Sequence, residues 1–447
     1  MRRRFKSLFL DRSGNFGMLA AISMVPMIGI AGLSIDFTRA LQTRAEVQES
    51  ADAAALAVLA EGSVGMLQAL AMSGNGEVPL AEEDAKAFFR AAARANGQAP
   101  EDTNGSAELA LSNLSVSAVV TKSGRDLKSV IHYEMTIPTS LLRVIGKDSL
   151  TVSGTATAVY QTNAFMDFYM LLDNTPSMGL GATTSDINLM VQNTPDACAF
   201  ACHIVSEAGV DNANSYYHLA KRIGAKIRID VVAQATAALM DEAIRQQKYV
   251  QQFRVGAFTF GKNAQNVTLQ TISPLTDNLR DVKQKATEIG LMSIPYQNYD
   301  NDQQTSFDKA FSQVNSVIDT PGTGDSITDR QKIVFFVSDG VGDSSKASNC
   351  TKRLAGATRC QEPIDVRACQ ALKARGIKIA VLYTTYLPLP TNSWYNSWIR
   401  PFQSEIATNM EACASDGLFF EVTPSQGIAE AMRALFIKTI KSPRLAS

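Results

Sequence analysis

Three textures of apolar and polar positions follow one another along the chain. Residues 16–35 read FGMLAAISMVPMIGIAGLSI, an uncharged run of about twenty residues that at ~1.5 Å per residue can cross a hydrocarbon core of about 30 Å. Residues 36–60 are rich in Ala, Glu, Gln and Leu, with no Gly or Pro before Gly62, which predicts a helix continuing out of the apolar run. Gly74-Asn75-Gly76 breaks that pattern, and LAEEDAKAFFRAAARA (80–95) predicts a second amphipathic helix. The period then falls to two. Segments 109–121, 129–138 and 149–161 alternate apolar and polar residues and predict three strands, separated by a turn at 123–126 and a short helix around 141–144.

From residue 164 the strands become continuous apolar runs: MDFYMLLD (166–173), FRVGAFTF (253–260), KIVFFVSDG (332–340) and GIKIAVLYTT (376–385), with FFEVT (419–423) as an edge strand. Helical periodicity fills the gaps at 221–247, 279–289, 306–318, 366–374, 404–412 and 428–440. Strands alternating with helices predict an α/β fold, a doubly wound and mostly parallel sheet covered on both faces. No short internal repeat or long low-complexity tract is present. The organisation expected is a leader (1–15), a transmembrane helix (16–35), an alanine-rich juxtamembrane helix (36–60), a small α+β module (61–163) and a large α/β domain (164–442).

Charge orients this arrangement. Arg2, Arg3, Arg4, Lys6 and Arg12 precede the apolar run and Asp36 closes it, which predicts the N-terminus inside and the bulk of the chain outside. A cleaved signal peptide is the rival reading; the apolar core is long for one, and no small-x-small site directly follows it. The formal net charge of −1 supplies no global field towards nucleic acid. The hydrophobic share of 45% against 19% charged residues excludes wholesale disorder. Small residues on the juxtamembrane helix, Ala45, Ala53 and Ala57 among them, permit close helix packing and hence lateral self-association, although an alanine-rich helix is also simply a good helix.

All six cysteines, Cys198, Cys202, Cys350, Cys360, Cys369 and Cys413, follow the apolar run. An even count in an exported region suggests disulfides. Short loops favour Cys198–Cys202 and Cys350–Cys360, leaving Cys369 with Cys413; buried free thiols are the alternative.

Ligands in doubly wound sheets bind outside the carboxyl ends of the strands, and two of the longest strand signals end in aspartate, Asp173 and Asp339. Thr175 and Ser177 follow Asp173 at spacings that turn their hydroxyls the same way as its carboxylate. Thr305-Ser306 opens a helix after a polar loop. Such hard oxygen donors with positions left for water suit Mg²⁺ or another hard divalent cation, whereas softer metals want imidazole or thiolate.

LLDNTPSMG resembles the D-x-S-x-S metal-ion-dependent adhesion site of von Willebrand factor A domains, QQTSFDKAF that family's threonine loop, and VFFVSDGVGD its second aspartate. The resemblance implies a metal site built from Asp173, Thr175, Ser177, Thr305 and Asp339, with one position left for a carboxylate of a partner protein. Thr175 stands where that family more often has serine, and Asn174 and Pro176 replace the usual small residues. The N-terminal stretch, with its basic leader, G-N-x membrane helix, Asp36-Phe37-Thr38-Arg39-Ala40 junction and alanine-rich helix, resembles the TadG family of tight-adherence (Flp) pilus-assembly proteins, as does SLLRVIGKDSLTVSGTATAV (140–159). That resemblance implies an inner-membrane, single-pass component of a pilus-assembly and secretion machine, contacting other envelope proteins. A surface adhesin or sensor binding an external carboxylate is the second reading.

An enzyme is not expected. Ser177 and Ser338 lie beside aspartates but no pattern joins them to His132, His203 or His218, and no phosphate-binding glycine loop is present. CAFACH (198–203) has one residue too many between its cysteines for haem attachment. A zinc site from Cys198, Cys202, His203 and His218 is the further alternative to a local disulfide there. TNSWYNSWIRPF (391–402) holds both tryptophans and reads equally as a partner-binding patch or as a plug under a loop.

Overall fold

The computed structural model describes residues 15–95, 113–390, 392–423 and 427–441, and the chain divides into two compact units, Met1–Thr162 and Asn163–Ser447. The basic leader and the first residues of the expected 109–121 strand lie outside the described residues.

In the first unit a single helix of 43 residues, Asn15–Ala57, carries the apolar run and the alanine-rich run without a break, with Pro26 inside it. It is the one helix among the described residues long and apolar enough to cross a membrane. Its first half leaves large apolar side chains in the open, Met18, Leu19, Ile22, Met27, Ile30 and Leu33 among them. Its second half changes character: Val47, Ala51, Ala54 and Ala55 are buried, as is Val58 just after its end. They pack on a four-stranded antiparallel sheet of β1 (Gly76–Glu77), β2 (Leu114–Ser123), β3 (Asp126–Pro138) and β4 (Ser149–Gln161), in that order. The alanine-rich half of this helix is therefore a layer of the small module. At Gly154 helix and sheet approach so closely that a Cβ would lie 2.5 Å from Gln48 Oε1 and from Tyr133 Oη, while the Tyr133 hydroxyl donates to Gln48 Oε1 (3.1 Å). The helix Pro79–Ala93 adds Ala81, Ala85 and Phe89 to this core, and a short helix at Val64–Ala71, capped by Ser63, was not legible in the pattern. Of the small residues considered for self-association, Ala45 and Ala53 stay exposed and Ala57 is half-buried.

Asp36 ends the apolar run as a structural clamp. Its carboxylate accepts the backbone N–H groups of Ser140 (2.9 Å), Leu141 (2.9 Å) and Leu142 (2.8 Å), the donors that the 3₁₀ turn Leu142–Ile145 would leave unsatisfied at its start. Arg39 adds a bond from Nη1 to Ser140 Oγ (2.9 Å). In the Asp36→Ala variant, hydrogen exchange at the 140–142 amides is expected to accelerate while the helix content by circular dichroism stays unchanged. Unaltered exchange there would show that the turn does not depend on this carboxylate.

The second unit carries β5 (Met166–Leu172), β6 (His203–Ile204), β7 (Phe253–Thr259), β8 (Gln270–Thr276), β9 (Ser293–Ile294), β10 (Gln331–Ser338), β11 (Val341–Ser345), β12 (Arg359–Pro363), β13 (Lys378–Thr384) and β14 (Phe419–Val422). Six of them form one sheet in the order β14-β13-β10-β5-β7-β8, parallel except for β8, which runs antiparallel to β7. Counted in chain order this is the 3-2-1-4-5-6 arrangement of doubly wound sheets, whose crevice opens between the first and fourth strands, here β5 and β10. The apolar runs are continuous because both faces are covered. Phe168, Met170 and Leu172 join one core with the helices Arg228–Gln246, Leu279–Ala286 and Ile428–Lys441, and Tyr169 and Leu171 join the other with Phe307–Val317, Val366–Ala374 and Gln403–Cys413.

Three departures from the pattern have physical causes. The helix expected over 221–247 is two helices, Tyr216–Ile223 and Arg228–Gln246, because Gly224 ends the first in a left-handed conformation (φ 76°). Strand β8 and the hairpin β11–β12 were not anticipated; β8 contains Pro274 and sits at the sheet edge. Cys350–Cys360 and Cys369–Cys413 are bonded, the second joining the helices Val366–Ala374 and Gln403–Cys413. The expected Cys198–Cys202 bridge is not formed, and both are thiols. Cys198 Sγ is turned to the Phe200 backbone, accepting its N–H at 3.4 Å, and Cys202 engages the Gln297 side chain.

Candidate metal centre

The loop after β5 delivers Asp173, Thr175 and Ser177 into the crevice, and the loop after β10 delivers Ser338 and Asp339. Asp173, Thr175, Ser338 and Asp339 are fully buried. Asp173 Oδ1 accepts the Thr175 N–H (3.0 Å) and hydroxyl (2.7 Å), and Oδ2 accepts the Ser338 hydroxyl (2.6 Å). Thr175 Oγ1 and Ser177 Oγ lie 3.5 Å apart, so threonine in place of serine keeps its hydroxyl in the cluster. Asn174 locks the loop from behind. Its Nδ2 donates to Gly261 O (2.7 Å), its Oδ1 accepts the Phe260 N–H (3.1 Å), and its carbonyl accepts the Met292 N–H (2.7 Å). Pro176 opens the 3₁₀ turn Pro176–Gly179, where its fixed φ costs nothing.

The Asp339 carboxylate holds a partner that the pattern did not reveal. Arg228, 2% exposed, donates from Nη1 to Asp339 Oδ2 (3.1 Å) and from Nη2 to Thr385 O (3.4 Å), and its Nε has no hydrogen-bond partner. Burial, and then the repulsion of Asp339, push the Asp173 carboxyl above the usual carboxylate range, against the hydrogen bonds of Ser338 and Thr175. Burial likewise raises Asp339, against the pull of Arg228 and of the Ser177 hydroxyl. Of the two buried carboxylates only Asp339 is paired with a guanidinium, and the negative charge of Asp173 is left without an ion-pair partner among the described residues. That residual charge, ringed by hydroxyl and carboxylate oxygens, fits a hard divalent cation, while Arg228 removes one charge from what such a cation would meet.

Thr305 reaches the same place by a different route. Its backbone pairs with Asp343, N–H to carbonyl in both directions (2.7 and 2.9 Å), leaving Ser306 to cap the helix Phe307–Val317. Thr305 and Ser177 line one cavity of about 350 Å³ with Tyr386, Trp394 and Arg359. Asp343, raised to about 6 by burial against its Arg359 and Gln361 partners, lies on the cavity wall. The aromatic segment divides: Tyr395 and Phe402 are buried plugs, whereas Trp394 stands at the rim, 37% exposed, under the Arg359 guanidinium (4.3 Å) and bonded to Gln361 Oε1 (2.9 Å). Cys198 and Cys202 also line this cavity. Burial raises both thiols, Cys202 to about 12, which makes them poor thiolates.

Residues 14–61 match the family of putative Flp pilus-assembly TadE/G-like sequences. None of the curated proteins matches the chain. Among solved structures it is similar to the von Willebrand factor domain of the type V pili tip protein Mfa5 from Porphyromonas gingivalis, with 10% identity, a TM-score of 0.36, and coverage of 64% of this chain and 99% of that one. It is also similar to the pilus adhesin SpaC from Lactobacillus rhamnosus GG (9% identity, TM-score 0.35, 74% of this chain and 34% of that one). A third similarity is to proximal thread matrix protein 1 from the mussel byssus, with a zinc occupied MIDAS motif (14% identity, TM-score 0.32, 62% of this chain and 48% of that one).

Proposed function

We propose that the chain is a membrane-anchored envelope component of a Flp-type pilus-assembly and secretion machine, and that its second unit makes metal-dependent contacts with other assembly proteins rather than catalysing a reaction. The observation that carries this reading is the match over residues 14–61, falling on the long helix with its exposed apolar half. The helix is the anchor, with the short N-terminus in the cytoplasm and the chain after the apolar run outside. Ala45 and Ala53, which stay exposed on its otherwise packed outer half, are the surface for lateral association.

At the crevice Mg²⁺ would be held by Asp173, Thr175, Ser177, Thr305 and Asp339, leaving a coordination position for a carboxylate of the docking protein. The cavity beside Ser177 and Thr305, with Trp394 at its rim, receives the side chains that flank that carboxylate. Asp173→Ala in the full chain is expected to abolish Mg²⁺-dependent thermal stabilisation, and Ser177→Ala, at the less buried edge, to weaken it. A metal-dependent melting shift that survives both substitutions would refute the ligand assignment. Fractionation separates the neighbouring reading: retention in the inner membrane supports an assembly component, and cleavage by protease added to intact cells supports a surface adhesin.

A further inference from the structure

Outside the crevice, two of the three histidines, His203 and His218, converge on one carboxylate. We propose that His203, Asp211 and His218 form a second metal site, for a divalent cation of the imidazole-preferring class, with zinc first among them. His203 is the first residue of β6, Asp211 closes the loop that follows through a bridge to Val205, and His218 lies in the first turn of the helix Tyr216–Ile223. Their three ligand atoms lie within 4.8 Å of one another. His203 Nε2 is 3.3 Å and His218 Nε2 2.9 Å from the same oxygen, Asp211 Oδ1. Tetrahedral zinc, with bonds of ~2.1 Å, sets its donor atoms about 3.4 Å apart.

The tautomer supplies an independent reason. His203 Nδ1 lies 3.4 Å from the Leu291 carbonyl, which can only accept, so Nδ1 carries the hydrogen. The neutral ring then aims the lone pair of Nε2 at a carboxylate oxygen. Nε2 is buried and makes no hydrogen bond, so two acceptors face each other unless a proton or a metal cation stands between them. An imidazole whose far nitrogen is fixed by a carbonyl is the arrangement metal-ligating histidines adopt. Stacking of His203 on Tyr217 (4.3 Å) and the edge-on contact with His218 (5.8 Å) hold the rings in place. Asp211 and His218 are partly open, with side chains 48% and 31% exposed, so the fourth position faces solvent and is filled by water or by a side chain from a docking protein. Cys198 and Cys202 take no part; they line the crevice cavity instead.

The test uses the full chain in detergent, stripped with a chelator and then titrated with Zn²⁺ by calorimetry, with Co²⁺ as the spectroscopic substitute. Wild type is expected to bind zinc at this site with visible Co²⁺ bands of nitrogen–oxygen coordination. His218→Ala and the isosteric Asp211→Asn should each weaken that binding more than about tenfold, with melting temperatures in chelator close to wild type. Asp173→Ala and the Cys198→Ser/Cys202→Ser double variant should leave it unchanged, which separates this site from the crevice and from the thiols. Undiminished zinc affinity in both His218→Ala and Asp211→Asn, loss in the cysteine variant, or no zinc binding by wild type would each overturn the assignment; the last would leave Asp211 paired with a protonated imidazole.

Discussion

Replacing Asp167 by alanine is expected to destabilise the 163–447 unit by about 3–5 kcal/mol, the cost of breaking a buried ion network from its centre, read as a fall of the order of 10 °C in its melting temperature. Asp167 is the second residue of β5 and is fully buried. Its cross-strand neighbours are Arg254 on β7 and Lys332 on β10. Arg254 Nη2 (2.6 Å), Lys332 Nζ (2.6 Å) and Arg330 Nε (2.6 Å) all donate to its carboxylate, and Arg330 also ties down the carbonyls of Gln251 (2.6 Å) and Gln252 (3.0 Å). Without Asp167, Arg330 and Lys332 are buried cations with no carboxylate between them. Arg254→Met should cost far less, because that side chain is 35% exposed and solvent screens it. Burial alone would raise the Asp167 carboxyl, but the hydrogen bonds of Arg254 and Lys332 and the charge of Arg330 outweigh it and hold it below the usual range. Its contribution is therefore complete above an unfolded carboxyl pKa of about 4 and is lost as pH falls through the lower folded value. A melting temperature of Asp167→Ala within a degree of wild type at neutral pH would remove the network from the account of stability.

The second large effect belongs to Arg228. Arg228→Met keeps the length of the side chain but strips Asp339 of its ion-pair partner, leaving two buried carboxylates face to face, and is expected to cost about 3–5 kcal/mol in metal-free buffer. The same change should enlarge the stabilisation gained from Mg²⁺. At a concentration near a hundred times Kd, ligation returns roughly 2.7 kcal/mol, and the variant's tighter binding raises that figure at any given concentration. Thermal shift titrations of wild type and Arg228→Met with Mg²⁺ decide the matter. An equal or smaller shift in the variant would mean that the guanidinium is not the counter-charge of the crevice.

Both effects rest on charges that periodicity hides. Asp173 and Asp339 were legible because an apolar strand ending in aspartate is what a crevice in a doubly wound sheet requires, and the six sheet strands but one were legible because burial on both faces makes their runs continuous. Asp167 is hidden inside one of those runs, although a carboxylate in MDFYMLL is itself the signal that cations wait on the flanking strands. Arg228 was hidden by the missed break at Gly224: inside one long helix it reads as a solvated charge, whereas at the start of a new helix it points into the site. The hairpin β11–β12 has no apolar alternation, since its buried Arg359, Gln361 and Glu362 are satisfied by Asp343, Trp394 and Lys346 rather than by packing. Cys198 and Cys202 stay unbridged because proximity in sequence does not fix where each Sγ points, and here they take separate partners.

The helix Asn15–Ala57 has a mechanical consequence. Forty-three residues at ~1.5 Å each make a rod of about 65 Å, longer than a bilayer is thick. Its outer half is built into the core of the first unit through Val47, Ala51, Ala54 and Ala55, and Asp36 pins it sideways to the 3₁₀ turn. No flexible joint separates the apolar half from the packed half; the single proline lies well inside the apolar part, at Pro26. Any twist or tilt applied to the helix on the C-terminal side of that proline is therefore delivered as a rigid rotation to the four-stranded sheet, so that the helix works as the handle of a lever whose compliant point is Pro26.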